Sequence, residues 1–413
     1  MSRLMKRRRR LLRRIILLTA LSLMCVVWFA SNHPHAQQAP NQQTQRPRRV
    51  GGEQTQDPKK PDTPNAGDEV DEGDVVRVET QLVSVPAVVT DSTGRPISGL
   101  KPDNFRLVED GQVQTITNFG TTETPFEIAL LLDTSGSTRE DVALIRSAAN
   151  SFIEALRPGD RVGIVAFNTA QTVAEPVATV EVLTPLTSDR DALRTAIENL
   201  GASNGTPYYD ALERVADSIF RDAPREEVRG RRAVVALTDG VDSASNSDFA
   251  TAKMKLSRAG IACYFIQVNT EDFVKDRLMK DCRDDGQLTL SQRQIERYRR
   301  IFFPSAKAEN FNGFCQMGPF ERMSISRELY NLARREMNDL AKRSGGRSFV
   351  AATLPDARAA FARVAADIGT LYSLGYYPTN KARDGKYRAI KLEVRGVKDK
   401  TEIRARDGYY APK

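Results

Sequence analysis

Two hydrophobic rhythms divide the chain. Between residues 126 and 371, short unbroken apolar runs alternate with stretches in which apolar residues recur every three or four positions. The runs are "FEIALLLD" (126–133), "DRVGIVAF" (160–167), "RRAVVALTD" (231–239) and "IACYFIQV" (261–268). They predict strands buried on both faces. Helical spacing is set first by Val142, Ile145, Ala149, Phe152, Ile153 and Leu156. Further helices are predicted over 189–200, 207–220, 248–260, 325–345 and 356–372, with a polar insertion at 272–325. Strand–helix alternation of this kind predicts an α/β fold, a doubly wound and mostly parallel sheet with helices on both faces.

On either side the period falls to two. Val76, Val78, Thr80 and Leu82 alternate with polar neighbours in "VVRVETQLVSVPAVVTD" (75–91). Two further strands flank Asp110-Gly111 within 105–119, and "LGYYP", "KYRAIKLEVRG" and "TEIRARDGYYAP" carry β character to the C-terminus. Neither group makes a domain alone. Packed together they predict a small β-sandwich into which the α/β region is inserted. The expected boundaries are a leader at 1–36, a disordered linker at 37–74, sandwich halves at 75–121 and 372–413, and the α/β domain at 122–371. The linker is rich in Gln, Pro, Asp and Gly and nearly free of apolar residues, so burial cannot offset its ordering entropy.

Charge alters little once located. The net charge is +8, but residues 1–14 alone carry eight arginines and lysines and no acid, so the remainder is neutral. Nothing here points to nucleic acid. The basic leader precedes the apolar run Ile15–Ala30, which reads as a cleaved signal peptide or as an N-terminal membrane anchor. Either way the bulk of the chain is expected outside the cytoplasm, touching the membrane only if the leader is uncut. In that compartment Cys282 and Cys315 are expected to form a disulfide, while Cys263, inside an apolar run, is expected to be a buried free thiol.

The chemistry lies where strands end. "LLDTSGST" (131–138) puts Asp133, Ser135 and Ser137 at alternate positions just past the first buried strand. Thr206 sits in a glycine-containing loop before a helix, and Asp239 ends the later run "RRAVVALTD". Ligands gather at the carboxyl ends of strands in such sheets. An all-oxygen set with two carboxylates suits a hard dication. Asp242 and Ser243 are expected to cap loops. Tyr208 and Tyr209 fit either core or the rim of the site, and the arginine-rich "RQIERYRR" is expected to be a solvated helix.

Asp-x-Ser-x-Ser, a distant Thr and a distant Asp, in this order, resemble the von Willebrand factor A domain and its metal-ion-dependent adhesion site. The likeness covers roughly residues 124–370, and the flanks are similar to a bacterial group of exported proteins related to that domain. The resemblance implies that Ser135, Ser137 and Thr206 bind the ion directly, while Asp133 and Asp239 act largely through water. It implies Mg²⁺, with Mn²⁺ or Ca²⁺ as alternatives, and a protein partner offering an Asp or Glu carboxylate.

The only histidines are His33 and His35, at the leader boundary, so a Ser–His–Asp hydrolase or a histidine-ligated zinc enzyme in the folded part is excluded. No glycine-rich phosphate loop with its lysine is present. The expectation is therefore an adhesion or protein-binding module and not an enzyme. The alternatives are an envelope scaffold whose metal only staples loops, or a remote Mg²⁺-dependent hydrolase. Partner identity and oligomeric state leave no trace in the sequence.

Overall fold

A computed structural model describes residues 82–121, 123–135, 142–172, 176–228, 230–278, 290–305, 317–397 and 400–413. These all fall within one compact unit, Val76–Lys413. The leader, the linker, the alternating residues Val76–Thr80, Ser137, and both Cys282 and Cys315 lie outside the described residues.

Four strands come first: β1 (Val83–Asp91), β2 (Phe105–Glu109), β3 (Gln112–Gln114) and β4 (Asn118–Gly120). In β1, Val83, Val85, Ala87 and Val89 face one apolar core and Val88 another. Both faces of that strand are covered, which is why its sequence is more apolar than simple alternation demands. Asp110 (φ 45°) and Gly111 (φ 87°) are both left-handed, as a two-residue turn must be to match the twist of β2 and β3.

The α/β region follows as β5 (Glu127–Leu132), α1 (Val142–Ala155), β6 (Arg161–Ala170), β7 (Val177–Thr187) and α2 (Arg190–Glu198). Next come α3 (Tyr208–Arg214), β8 (Arg232–Thr238), α4 (Phe249–Arg258), β9 (Ala262–Val268) and α5 (Glu271–Leu278). It closes with α6 (Gln292–Phe302), α7 (Pro319–Ser344), β10 (Arg347–Ala351) and α8 (Ala357–Gly369). The strands form one sheet in the order β10-β9-β8-β5-β6-β7, parallel except for β7 against β6.

Central β5 is buried throughout. Ile128, Leu130 and Leu132 pack under α1 and α8, with Phe152 and Phe361 in ring contact there. Ala129 and Leu131 pack on the other face with α3, α4 and α7. The apolar runs did not announce β7 and β10. β7 is a half-exposed edge strand, and β10 buries only Phe349 and Ala351.

The chain ends in β11 (Tyr372–Tyr376), β12 (Tyr387–Val394), β13 (Thr401–Ala405) and β14 (Gly408–Tyr410). These join the first four strands in two antiparallel sheets, ordered β13-β1-β11-β4 and β14-β12-β2-β3. Leu107, Tyr372, Leu374 and Ile390 share the core between them. The α/β domain is thus inserted into a sandwich built from strands that precede and follow it. "TEIRARDGYYAP" makes two strands, one in each sheet, joined at Arg406-Asp407.

The insertion is not simply a solvated appendage. Ile295 and Tyr298 of α6 join Leu278, Leu290, Ile325 and Leu329 in a satellite core that reaches Val241. Arg297 is drawn inward to the Glu336 carboxylate (2.7 Å) and lies over the Tyr209 ring. Among the described residues no helix is long and apolar enough to cross a membrane.

Candidate metal centre

Two acids meet at the carboxyl end of the sheet. Asp133 follows β5 and Asp239 follows β8, and these strands are neighbours in parallel register. The Asp133 amide donates to Leu237 O (3.0 Å), carrying the ladder one step beyond the strand. Its carboxylate is buried; Oδ1 accepts from the Ser135 amide (3.0 Å) and Oδ2 from the Thr238 hydroxyl (2.6 Å). Asp239 accepts at Oδ1 from the Val241 amide (2.9 Å) and at Oδ2 from the Thr270 hydroxyl (2.6 Å). Tyr330, on α7, lies 2.8 Å from the Thr270 hydroxyl and 3.4 Å from Asp239 Oδ2.

Burial and then the Asp239 charge push the Asp133 carboxyl up to about 7, against the lowering effect of Ser135 and Thr238. Two buried acids side by side resist being ionised together, and a dication between or beside them removes that cost. The remaining donors near them are hydroxyls and amides. Among the described residues no three His, Cys, Asp or Glu side chains form a metal cluster. The set therefore fits a hard cation that keeps several waters better than it fits a carboxylate cage or a zinc site.

The other site loops are stitched to these two. The Ser203 amide donates to Thr134 O (2.8 Å), and the Ser203 hydroxyl to Gly205 O (2.8 Å), which folds the loop leading to buried Thr206. Thr206 and Ser243 are bonded twice: the Thr206 amide donates to Ser243 Oγ (2.9 Å), and the Ser243 amide to Thr206 O (3.0 Å). Segments 133–135, 203–206 and 237–243 are thus hydrogen-bonded to one another in a closed ring. Of the five residues singled out from the sequence, Asp133, Ser135, Thr206 and Asp239 fall on this ring and are buried, and Ser137 lies outside the described residues.

Residues 128–241 match the sequence model of the von Willebrand factor type A domain. This chain contains a von Willebrand factor A domain. No curated protein matches the chain. Among solved structures, it is similar to proximal thread matrix protein 1 of the mussel byssus, at 13% identity and a TM-score of 0.37, over 59% of this chain and 47% of that one. It is also similar to a von Willebrand factor type A protein from Catenulispora acidiphila, at 13% identity and a TM-score of 0.38, over 80% and 74%. The chain spans about half the length of the mussel protein. Likenesses at these scores carry no weight for function. A von Willebrand factor A domain suggests a protein-interaction module.

Within this domain, Asp242 serves as a cap, but for a distant helix and together with Ser245, which accepts from the Tyr209 and Asp210 amides (3.0 and 3.1 Å). Ser243 bonds the loop before that helix, at Thr206. Pro207 precedes α3 and offers no side-chain acceptor, so Asp242 Oδ2 takes the amides of Tyr208 (2.9 Å) and Tyr209 (3.3 Å) instead. Burial pushes the Asp242 carboxyl up to about 6. Tyr208 and Tyr209 are core residues, and the Tyr209 hydroxyl donates to Glu336 on α7 (2.7 Å). Gly240 is left-handed (φ 74°), and a β-carbon there would stand 2.7 Å from Met337 Cε, so the loop after Asp239 lies flat on α7.

Sequence reasoning missed Thr238, Thr270 and Tyr330, which orient the two carboxylates. Thr238 stands beside Asp239 and was within reach of a closer reading. Thr270 and Tyr330 are 31 and 91 residues from Asp239, and no local signal marks them.

Proposed function

We propose that this strand-end cluster binds Mg²⁺, with Mn²⁺ or Ca²⁺ as alternatives, through Asp133, Ser135, Ser137, Thr206 and Asp239. In the proposed complex the ion supplies a Lewis-acid position that accepts an Asp or Glu side chain of a protein partner. The observation that carries this reading is the pairing of Asp133 and Asp239. Two buried acids on adjacent strands, oriented by Thr238 and Thr270, stand together at the end of a sheet where ligands gather. Ser135 and Thr206 supply hydroxyls on the loops beside them, and the role of Ser137 rests on the motif.

Binding is preferred over catalysis on chemical grounds. No histidine follows residue 35, and both acids are already engaged by hydroxyl and amide donors. These donors orient both acids toward the sheet end, where an added ion would sit. The arginine-rich leader supports placing the partner outside the cytoplasm, in the periplasm, at the membrane or beyond the cell.

Calorimetric titration of the full chain with Mg²⁺ and Mn²⁺ tests the ion. One saturable site is expected, abolished by Asp133→Ala; heats that persist in the variant, or their absence in the parent, end the proposal. Capture of envelope proteins with and without chelator then tests the partner. Retention that survives metal removal would move the metal to a purely structural role.

A further inference from the structure

A cavity lies in the seam between the inserted domain and the sandwich, lined by residues of both. It has a volume of about 160 Å³. Its apolar wall is Leu256 on α4, Ile261, and Leu340 on α7, faced by Tyr410 of β14. An apolar cavity of roughly 150 Å³ is known to admit benzene, so the space suits one ring or a short branched chain.

Its polar side carries three cations and one carboxylate, Asp407. Lys253 and Arg343 come from the α/β domain, and Arg406 comes from the turn between β13 and β14. Arg406 is 4% exposed, and the acceptors it meets are neutral. Its Nη1 donates to Ser84 O (2.6 Å), its Nη2 to Ser257 O (2.5 Å) and Gly408 O (3.0 Å), and its Nε to Gly408 O (3.1 Å). Carbonyl dipoles solvate a guanidinium but do not neutralise it. Lys253 and Arg343 are bridged by Asp339 (2.6 Å to each), and Arg343 also reaches Asp407 (3.1 Å). Three cations against two carboxylates leave one positive charge, and the buried member is Arg406.

We infer that this seam cavity binds a small organic carboxylate with a benzene-sized apolar body. The anion sits against the Arg406 side, and the body against Leu256, Ile261 and Leu340. Because the walls come from both modules, the occupied cavity ties the sandwich to the inserted domain. The site is independent of the metal reading, and its test must be too, since a bound dication would itself take a carboxylate.

The test uses the full chain in excess chelator, titrated calorimetrically with benzoate and with its neutral counterpart benzamide. One benzoate per chain is expected, with benzamide at least tenfold weaker. Benzoate should also raise the thermal midpoint, as any ligand selective for the native state does. Lys253→Gln, at the cavity's rim, should weaken benzoate several-fold without altering the fold. Leu340→Phe, which fills the cavity, should abolish it, and Leu256→Phe serves if that variant does not fold. No saturable benzoate binding, equal affinity for benzamide, or undiminished binding in the filled variant each overturns the inference.

Discussion

Strand β5 carries a buried acid at each end, and the two acids live in opposite surroundings. At its start, Glu127 is enclosed between Arg161 (2.8 Å) and Arg232 (2.8 Å), so its charge is matched twice over within the fold. Past its end, Asp133 meets hydroxyls, an amide and a second carboxylate, Asp239. The same strand, equally buried, thus holds one acid as a structural rivet and the other in a state that favours an added positive ion. Burial alone marks neither as functional. What distinguishes them is the nearest charge: two guanidiniums beside Glu127, a second acid beside Asp133.

The largest expected effect breaks the rivet. Glu127→Ala leaves Arg232, which is 5% exposed, without its carboxylate, and should cost roughly 3–5 kcal/mol in denaturant unfolding. A loss near zero would mean that Glu127 is no more committed to the fold than Asp133, and the contrast fails.

At the other end the sign should reverse. The folded Asp133 carboxyl is raised from 3.8 to about 7, so its contribution to stability is fully present below pH 4 and lost as pH rises to about 7. In chelator, Asp133→Asn should therefore stabilise the protein at pH 8, by an amount on the order of a few kcal/mol, and flatten stability between pH 4 and 7. Urea unfolding of both proteins across that range checks it. A variant less stable than the parent at pH 8 contradicts the picture of an acid whose charge is opposed by burial and by Asp239.

Addition of the ion should sharpen the contrast further. At a Mg²⁺ concentration of ~100 times Kd, stabilisation of about 2.7 kcal/mol is expected for the parent and none for Asp133→Asn. Glu127→Gln, if folded, should keep the full Mg²⁺ response, because its defect lies at the far end of the sheet. Thermal denaturation with and without Mg²⁺ separates these cases.

The smallest effect concerns orientation. Thr270→Val removes the hydroxyl that holds Asp239 and should weaken Mg²⁺ about tenfold, while costing about 1 kcal/mol in fold stability. Thr270→Ser, which keeps the donor, should restore affinity. Equal affinity in the Val variant and the parent would show that Asp239 needs no such support.

Much of this could be read along the chain. Apolar runs located β5, β8 and β9 to within a residue and β6 to within three, because a strand buried on both faces has no choice of side chain. The two-sheet sandwich followed from period-two flanks too short to bury themselves. The edge strand β7 escaped because a half-exposed strand tolerates polar residues freely. The insertion helix α6 was misjudged for a related reason: Arg297 reads as a solvent residue until Glu336 and Tyr209 are seen beneath it.

The sequence by itself determined which acids and hydroxyls stand at strand ends, since strand periodicity and turn chemistry are local. Only the tertiary structure decided that Asp133 and Asp239 share a site, that Thr270 and Tyr330 aim one of them, and that Glu127 lies between two arginines while Asp133 lies beside a second acid. Charge compensation depends on distances between residues tens of positions apart, and those distances exist only once the sheet has formed.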